Sequence, residues 1–369
     1  METTPENPRI AAFISPHGYG HGARAAAVME ALYELMPAVE FEIFTQVPKW
    51  LFEESLSAPF RYHALWTDVG LVQETALRAD LRKTQDRLDR FLPLDPSLID
   101  GLATTIHHRK CRLVMSDIAP MGIAVAREAG VPSVLVENFT WDWIYAPYLR
   151  QIPEMKKHTH YLRDLFHLAD LHIQTEPVCR RQKALLLTPP ISRKPKKPRE
   201  AVRRRLGVPL DSKMVLITMG GIPEAYPFLD RLAQQGRYYF VIPGAREREK
   251  RAGNLVLLPT HCDIFHPDLV HASDAVVGKA GYSTLAETHD AAVPFGYVSR
   301  SGFRESHVLT SFIKSRRTGL PIGEDEFYEG TWFSRLPELL ALPRGRRRAR
   351  NGREQAARFI QGLITRESR

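Results

Sequence analysis

Ile10-Ala11-Ala12-Phe13-Ile14-Ser15-Pro16-His17-Gly18-Tyr19-Gly20-His21-Gly22-Ala23-Arg24 runs from an apolar stretch through three glycines into a helix-forming sequence. That order of strand, glycine loop and helix opens a doubly wound α/β domain. Gly18, Gly20 and Gly22 let backbone approach a ligand closely. The helix expected over Ala23–Leu35 turns its first N–H groups toward an anion or a developing charge. A dinucleotide site is disfavoured, because the spacing is GxGxG and the second strand ends in Thr45-Gln46 where a ribose-binding acid belongs. No Gly-Lys-Ser/Thr follows, which excludes a P-loop. His17 and His21 set the loop apart. Either could serve only to hydrogen-bond the loop, but a general base accounts better for histidine beside glycine, and His21 is preferred because it stands next to the helix.

Outward from this loop the pattern repeats. Apolar runs at Val39–Thr45, Leu113–Ser116, Ser133–Val136 and Leu171–Thr175 alternate with helical patterns at Ala79–Phe91, Met121–Ala129 and Tyr161–Ala169, which predicts parallel strands with helical crossovers. Thr188–Pro198, with four prolines among basic residues, reads as a linker. A second alternation then begins, with strands at Met214–Met219, Tyr238–Ile242, Leu255–Leu258, Ala275–Val277 and Phe295–Val298. The expected organisation is an N-terminal Rossmann-like domain over 1–190, a linker over 191–199, a C-terminal Rossmann-like domain over 200–343 and a basic helix over 344–369. Ligand would bind at the strand C-termini of the two halves.

Composition agrees with this plan. The 369 residues, 44% hydrophobic and 25% charged, suffice for two domains with cores of their own. Cys111, Cys179 and Cys262 are too far apart for a zinc knuckle or a disulfide framework, which points to a cytoplasmic, reducing setting. No apolar signal region or membrane-length apolar stretch is present, so neither secretion nor membrane spanning is expected. Of the net charge of +9, +7 falls in Arg344–Arg369, with nine arginines against two glutamates. Without a nucleic-acid-binding signature this run is expected to be a solvated or packed helix, with peripheral contact to an anionic membrane as a further expectation and no nucleic-acid partner.

Three further places carry chemistry. Asp117 follows a strand and could orient an imidazole or cap the next helix. The segment Glu137-Asn138-Phe139-Thr140-Trp141-Asp142-Trp143-Ile144-Tyr145 could form an acceptor wall through Asn138, Trp141 and Tyr145, or be ordinary aromatic core. Gly220-Gly221 ends a strand in the second half, and Gly278-Lys279-Ala280-Gly281-Tyr282-Ser283-Thr284-Leu285-Ala286-Glu287 joins a glycine turn, a cation and two hydroxyls at a helix start, a combination suited to a diphosphate. Glu287, one turn into that helix, could accept bonds from a ribose.

On these residues the chain resembles GT-B glycosyltransferases over nearly its whole length. HGYGHGAR, SDIAPMGIAVAREAGVPSVLVENFTWDWIY and GKAGYSTLAE…PFGYVSR are similar to the glycosyltransferase-like half of L-arabinokinases. The C-terminal pattern is also similar to the N-acetylglucosaminyltransferase acting on lipid-linked peptidoglycan precursors. The resemblance implies a metal-independent transferase without a resident cofactor, moving a sugar from a nucleotide diphosphate donor, with UDP expected, to a hydroxyl acceptor. It implies Glu287 on the ribose, Gly278, Lys279, Ala280, Gly281, Ser283 and Thr284 around the diphosphate, His261 and Phe265 at the base, and His21 with Asp117 as a base dyad. Where plant UDP-sugar transferases, which the C-terminal pattern more distantly resembles, carry an Asp-Gln pair for the donor sugar, this chain has Phe303-Arg304-Glu305-Ser306-His307, so Glu305 could substitute, the glutamine is missing and the donor sugar stays open. The similarity stops before any kinase half, so sugar phosphorylation is not implied. A nucleotide-sugar epimerase of the same fold and a non-catalytic nucleotide-sugar-binding module remain the alternatives.

Overall fold

In the computed structural model, which describes residues 7–221, 224–344 and 351–366, the N-terminal apolar runs form one seven-stranded parallel sheet. Its strands are β1 (Arg9–Ile14), β2 (Glu40–Thr45), β3 (Phe60–Ala64), β4 (Cys111–Asp117), β5 (Ser133–Glu137), β6 (Leu171–Thr175) and β7 (Leu186–Thr188), in the order β3-β2-β1-β4-β5-β6-β7. Helices cover both faces of such a sheet, so its central strands read as unbroken apolar runs rather than alternations. Residues 10–14 of β1 are all buried accordingly.

The second half forms another seven-stranded sheet. Its strands are β8 (Lys213–Thr218), β9 (Tyr238–Pro243), β10 (Lys250–Ala252), β11 (Leu255–Leu258), β12 (Ala275–Lys279), β13 (Phe295–Val298) and β14 (Gly319–Ile322), in the order β10-β11-β9-β8-β12-β13-β14. Only the β10–β11 hairpin pair is antiparallel. Pattern reading misses β3, β7, β10 and β14. All lie at or next to a sheet edge, where half-exposed or very short strands lose the apolar run, and Pro321 in β14 is tolerated because an edge strand has an unpaired side.

The division into units corrects the sequence-based boundaries in two places. Residues Gln73–Ala79 leave the N-terminal unit and join the second, where Ala76 and Leu77 are buried in its core. Arg350–Arg369 belongs to the first unit, and its helix Gly352–Arg366 is not a separate basic element. Ala356, Ala357, Ile360 and Ile364 recur on one helical face and are buried in the first unit's core beside helix Tyr19–Leu35. The second unit spans Ser192–Ala349 apart from the excursion, so the proline-rich stretch belongs to it from Ser192 onward. Residues 345–350 and 367–369 of the predicted basic helix lie outside the described residues. Among the described residues no helix is long and apolar enough to cross a membrane.

Candidate active site

Strand order reverses direction between β1 and β4 in the first sheet, and Ile14 is paired with Asp117 there. Such a reversal opens a crevice at the strand C-termini, the place where doubly wound sheets bind ligands. The helix begins at Tyr19 rather than Ala23, with Gly18 (φ 73°) leading into it. His21 and Arg24 therefore fall three apart on one helical face and reach the same partner. His21 Nδ1 lies 3.0 Å from Asp117 Oδ1. Arg24 donates from Nη2 to Oδ1 at 2.6 Å, from Nε to Oδ2 at 2.8 Å and from Nη1 to Asn138 Oδ1 at 2.7 Å. All four residues are buried.

Burial by itself raises the Asp117 carboxyl, but the charge of Arg24 and the hydrogen bonds from His21 and Arg24 outweigh it and hold the group below the usual carboxylate range. Asp117 is thus an anion, and it does not cap the next helix, whose N-cap is Ala119. Arg24 Nη2 is also 3.2 Å from His21 Nδ1. With that guanidinium hydrogen committed to Asp117, the ring can carry its proton on Nδ1, donate it to Asp117 and present Nε2 as an acceptor. Arg24 has no role in the sequence-based reading. The signal was its i+3 spacing from His21, hidden by starting the helix four residues late.

The rest of the loop and the aromatic segment serve structure. His17 Nδ1 accepts from the Leu71 backbone N–H at 3.3 Å, and its ring lies against Gly70, so it fixes this loop. Gly22 packs under Val47, where a Cβ would come within 2.8 Å of Cγ1. Trp141 and Tyr145, expected as an acceptor wall, are each only 1% exposed and belong to the core. The Tyr145 hydroxyl donates to Gly70 O at 2.6 Å and Trp141 Nε1–H donates to Asp68 Oδ2 at 2.8 Å. Asn138 is likewise buried, facing Arg24.

The second sheet reverses between β8 and β12, pairing Thr218 with Gly278. Lys279 ends β12, buried, and among the described residues its ammonium makes no hydrogen bond or ion pair, although its backbone carbonyl accepts from the Gly281 N–H. Burial above all, with Arg300 nearby and only partial compensation from Glu305 and Glu224, lowers its ammonium to about 7. It lies against the turn after β8, where Gly220 and Gly221 have φ of 74° and 80°, and a Cβ on Gly220 would sit 3.4 Å from Lys279 Nζ. Glycine is required there both for the left-handed backbone and for closeness to the cation. Gly278 has another purpose: a Cβ would lie 1.8 Å from Thr218 O, so it permits β8 and β12 to pair. The amides of Ala280 and Gly281 are already bonded, to Val298 O and Lys279 O, and the next helix starts at Tyr282, followed by Ser283 and Thr284.

Glu287 is buried between two side chains, Arg193 and His266, that sequence reading did not assign to it. Arg193 Nε and Nη2 both donate to its Oε1 at 3.1 Å, and His266 Nδ1 stands 2.8 Å from Oε2. Although burial alone raises this carboxyl, those neighbours hold it low. Any ribose on Glu287 has to share it with them. Phe265 carries Arg193 and Lys196 over its ring at 4.8 and 5.1 Å, whereas His261 is exposed. Glu305, buried in the first turn of helix Arg304–Arg316, contributes charge near Lys279.

The chain has the GT-B glycosyltransferase fold. A UDP-glucosyltransferase from Polygonum tinctorium, capable of glucosylating indoxyl and solved with 3,4-dichloroaniline, matches 98% of this chain with 99% of its own, at TM-score 0.64 and 14% identity. By sequence, the L-arabinokinase of Arabidopsis thaliana is 26% identical over 362 residues, 95% of this chain. The chain spans about a third of that protein's length, 34%. An uncharacterised glycosyltransferase of Methanopyrus kandleri is 25% identical over 269 residues, covering 70% of this chain and 78% of that protein. No protein-family model matches the chain.

Proposed function

We propose that this protein transfers a glycosyl group from a nucleotide diphosphate sugar, with UDP the expected carrier, to a hydroxyl acceptor. The observation that carries it is Lys279: a buried cation with no ion-pair partner among the described residues, set against a glycine turn where the second sheet reverses. An unpaired buried ammonium is costly unless function requires it, and a diphosphate supplies the missing counter-charge. The glycosyltransferase-named relative, the fold shared with a UDP-glucosyltransferase and the paired His21 and Asp117 support the same reading.

In the reaction the acceptor oxygen attacks the anomeric carbon while the carbon–oxygen bond to the diphosphate breaks. The acceptor proton passes to His21 Nε2, and the electron pair leaves with the diphosphate, whose charge Lys279 and the helix start at Tyr282 stabilise. Asp117 holds the imidazole in the Nδ1–H tautomer, and Arg24 fixes Asp117. Arg24 also neutralises part of the carboxylate's pull, so Asp117 orients the ring more than it stabilises an imidazolium. We assign His261 and Phe265 to the base and Glu305 to the donor sugar. No resident cofactor enters the scheme.

Incubation with UDP-sugars in the absence of acceptor tests the proposal. Slow release of UDP that is lost in His21→Ala and Lys279→Met supports transfer. Conversion into a different UDP-sugar would establish an epimerase, and neither UDP binding nor turnover with any nucleotide sugar would sink the proposal.

A further inference from the structure

The first unit contains a cavity of about 370 Å³ that no step above uses, lined by Trp66, Asp68, Val69, Arg87, Arg90 and Phe91. Its size falls in the range of small-molecule sites. One side is the loop after β3, carrying Trp66 and Asp68. The other is helix Leu81–Phe91, on which Arg87 and Arg90 lie three apart and so share a face.

The lining is uneven in a way that describes an occupant. Trp66 is 51% exposed, an uncommon place for a tryptophan, and Arg87 lies over its ring at 5.9 Å. Arg87 and Arg90 make no ion pair among the described residues, although Asp86 shares their helix. Asp89, also on that helix, is already occupied by Lys157, His158 and Gln85. Two unpaired guanidinium groups at a rim suit an acidic group. At the other extreme is Asp68, 2% exposed, whose Oδ2 accepts from Trp141 and whose Oδ1 has no hydrogen-bond partner. A buried polar atom without a partner marks a place where a ligand group can bond. Burial, only partly offset by Ser15 and Trp141, raises the carboxyl to about 7, so near neutrality it can either donate or accept. The same Trp141 indole touches His17 edge-on, with ring centroids 5.1 Å apart, and its ring centroid lies 6.5 Å from that of His21.

We infer that the cavity binds an acceptor built on a flat ring with an acidic substituent: the ring against Trp66 and Phe91, the acid on Arg87 and Arg90, and a polar substituent other than the attacking hydroxyl on Asp68 Oδ1. Calling the occupant an acceptor rests on the transfer reading, but its binding does not.

The test is direct binding to the full chain at low salt, followed by tryptophan fluorescence and ligand-observed NMR, with 4-hydroxybenzoate and its methyl ester as probes. The acid should bind at least about tenfold more tightly than the ester, as hydrogen bonds to a charged group allow. Arg87→Gln with Arg90→Gln should abolish the preference, and Trp66→Ala should weaken both probes. All three side chains are at the surface, and unchanged circular dichroism verifies the fold of each variant. Equal affinity for acid and ester, an acid affinity indifferent to the double substitution, or no saturable binding of the acid in the millimolar range would each overturn the inference. UDP titrated into the same protein separates the two proposals. UDP binding without acid binding removes the pocket and leaves transfer standing, whereas acid binding without UDP binding does the reverse.

Discussion

Lys279 and Asp117 show how single residues are tuned by what surrounds them. Both are buried ionisable groups, but Asp117 has Arg24 in a two-point bond and stays ionised, whereas the Lys279 side chain has no partner among the described residues and its ammonium falls from 10.5 to about 7. For a lysine lowered on folding, the neutral form is favoured in the fold. Its stability contribution is complete above 10.5 and is lost as pH falls toward 7. A diphosphate reverses this by favouring the ammonium, so binding should take up a proton around pH 8. UDP affinity should therefore weaken as pH rises above about 7, and calorimetry in two buffers of different ionisation enthalpy should show that uptake. Lys279→Met should abolish both the proton uptake and the pH dependence. A UDP affinity flat from pH 6 to 9 in the wild type would remove Lys279 from the diphosphate site.

At the level of elements, the site depends on how strands end and pair. Gly278 is placed where the carbonyl of Thr218 in the neighbouring strand leaves no room for a methyl group. Gly278→Ala presses a Cβ onto backbone, which cannot swing aside as a side chain would. The cost should exceed about 3 kcal/mol, at the upper end for a single substitution. Denaturant unfolding measures it, and Gly236→Ala is the control, because a Cβ there meets nothing within 4 Å. Comparable stability in both variants would show that β8 and β12 tolerate separation. The glycine turn at Gly220 differs: it is required for approach to Lys279, so its substitution should affect nucleotide binding more than folding.

Across the whole molecule the chain passes between its units more often than a two-domain sequence suggests, through Gln73–Ala79 and again at residue 350. The final helix buries Ala356, Ala357, Ile360 and Ile364 in the first unit. Removing residues 350–369 exposes that core, and the loss of two isoleucines alone at roughly 1.5 to 3 kcal/mol each should lower the melting temperature by on the order of 10 °C. Scanning calorimetry of the truncated protein tests this; an unchanged transition would show that the helix adds nothing to the first unit. Much of this plan was legible beforehand. Parallel strands covered by helices must be apolar throughout, so the central strands, the two glycine turns and the positions of Asp117 and Lys279 at strand C-termini followed from local pattern, as did that of His21 in the stretch joining β1 to its helix. What local pattern could not supply was partnership. Arg24 on Asp117, Arg193 and His266 on Glu287, the core position of Trp141 and Tyr145, and the unpaired oxygen of Asp68 all join residues distant along the chain. Strand and helix periodicity register which face a residue occupies and carry no information about which far neighbour meets it. Burial, and with it the charge state of each acid and base, was decided only when the sheets closed and their helices packed.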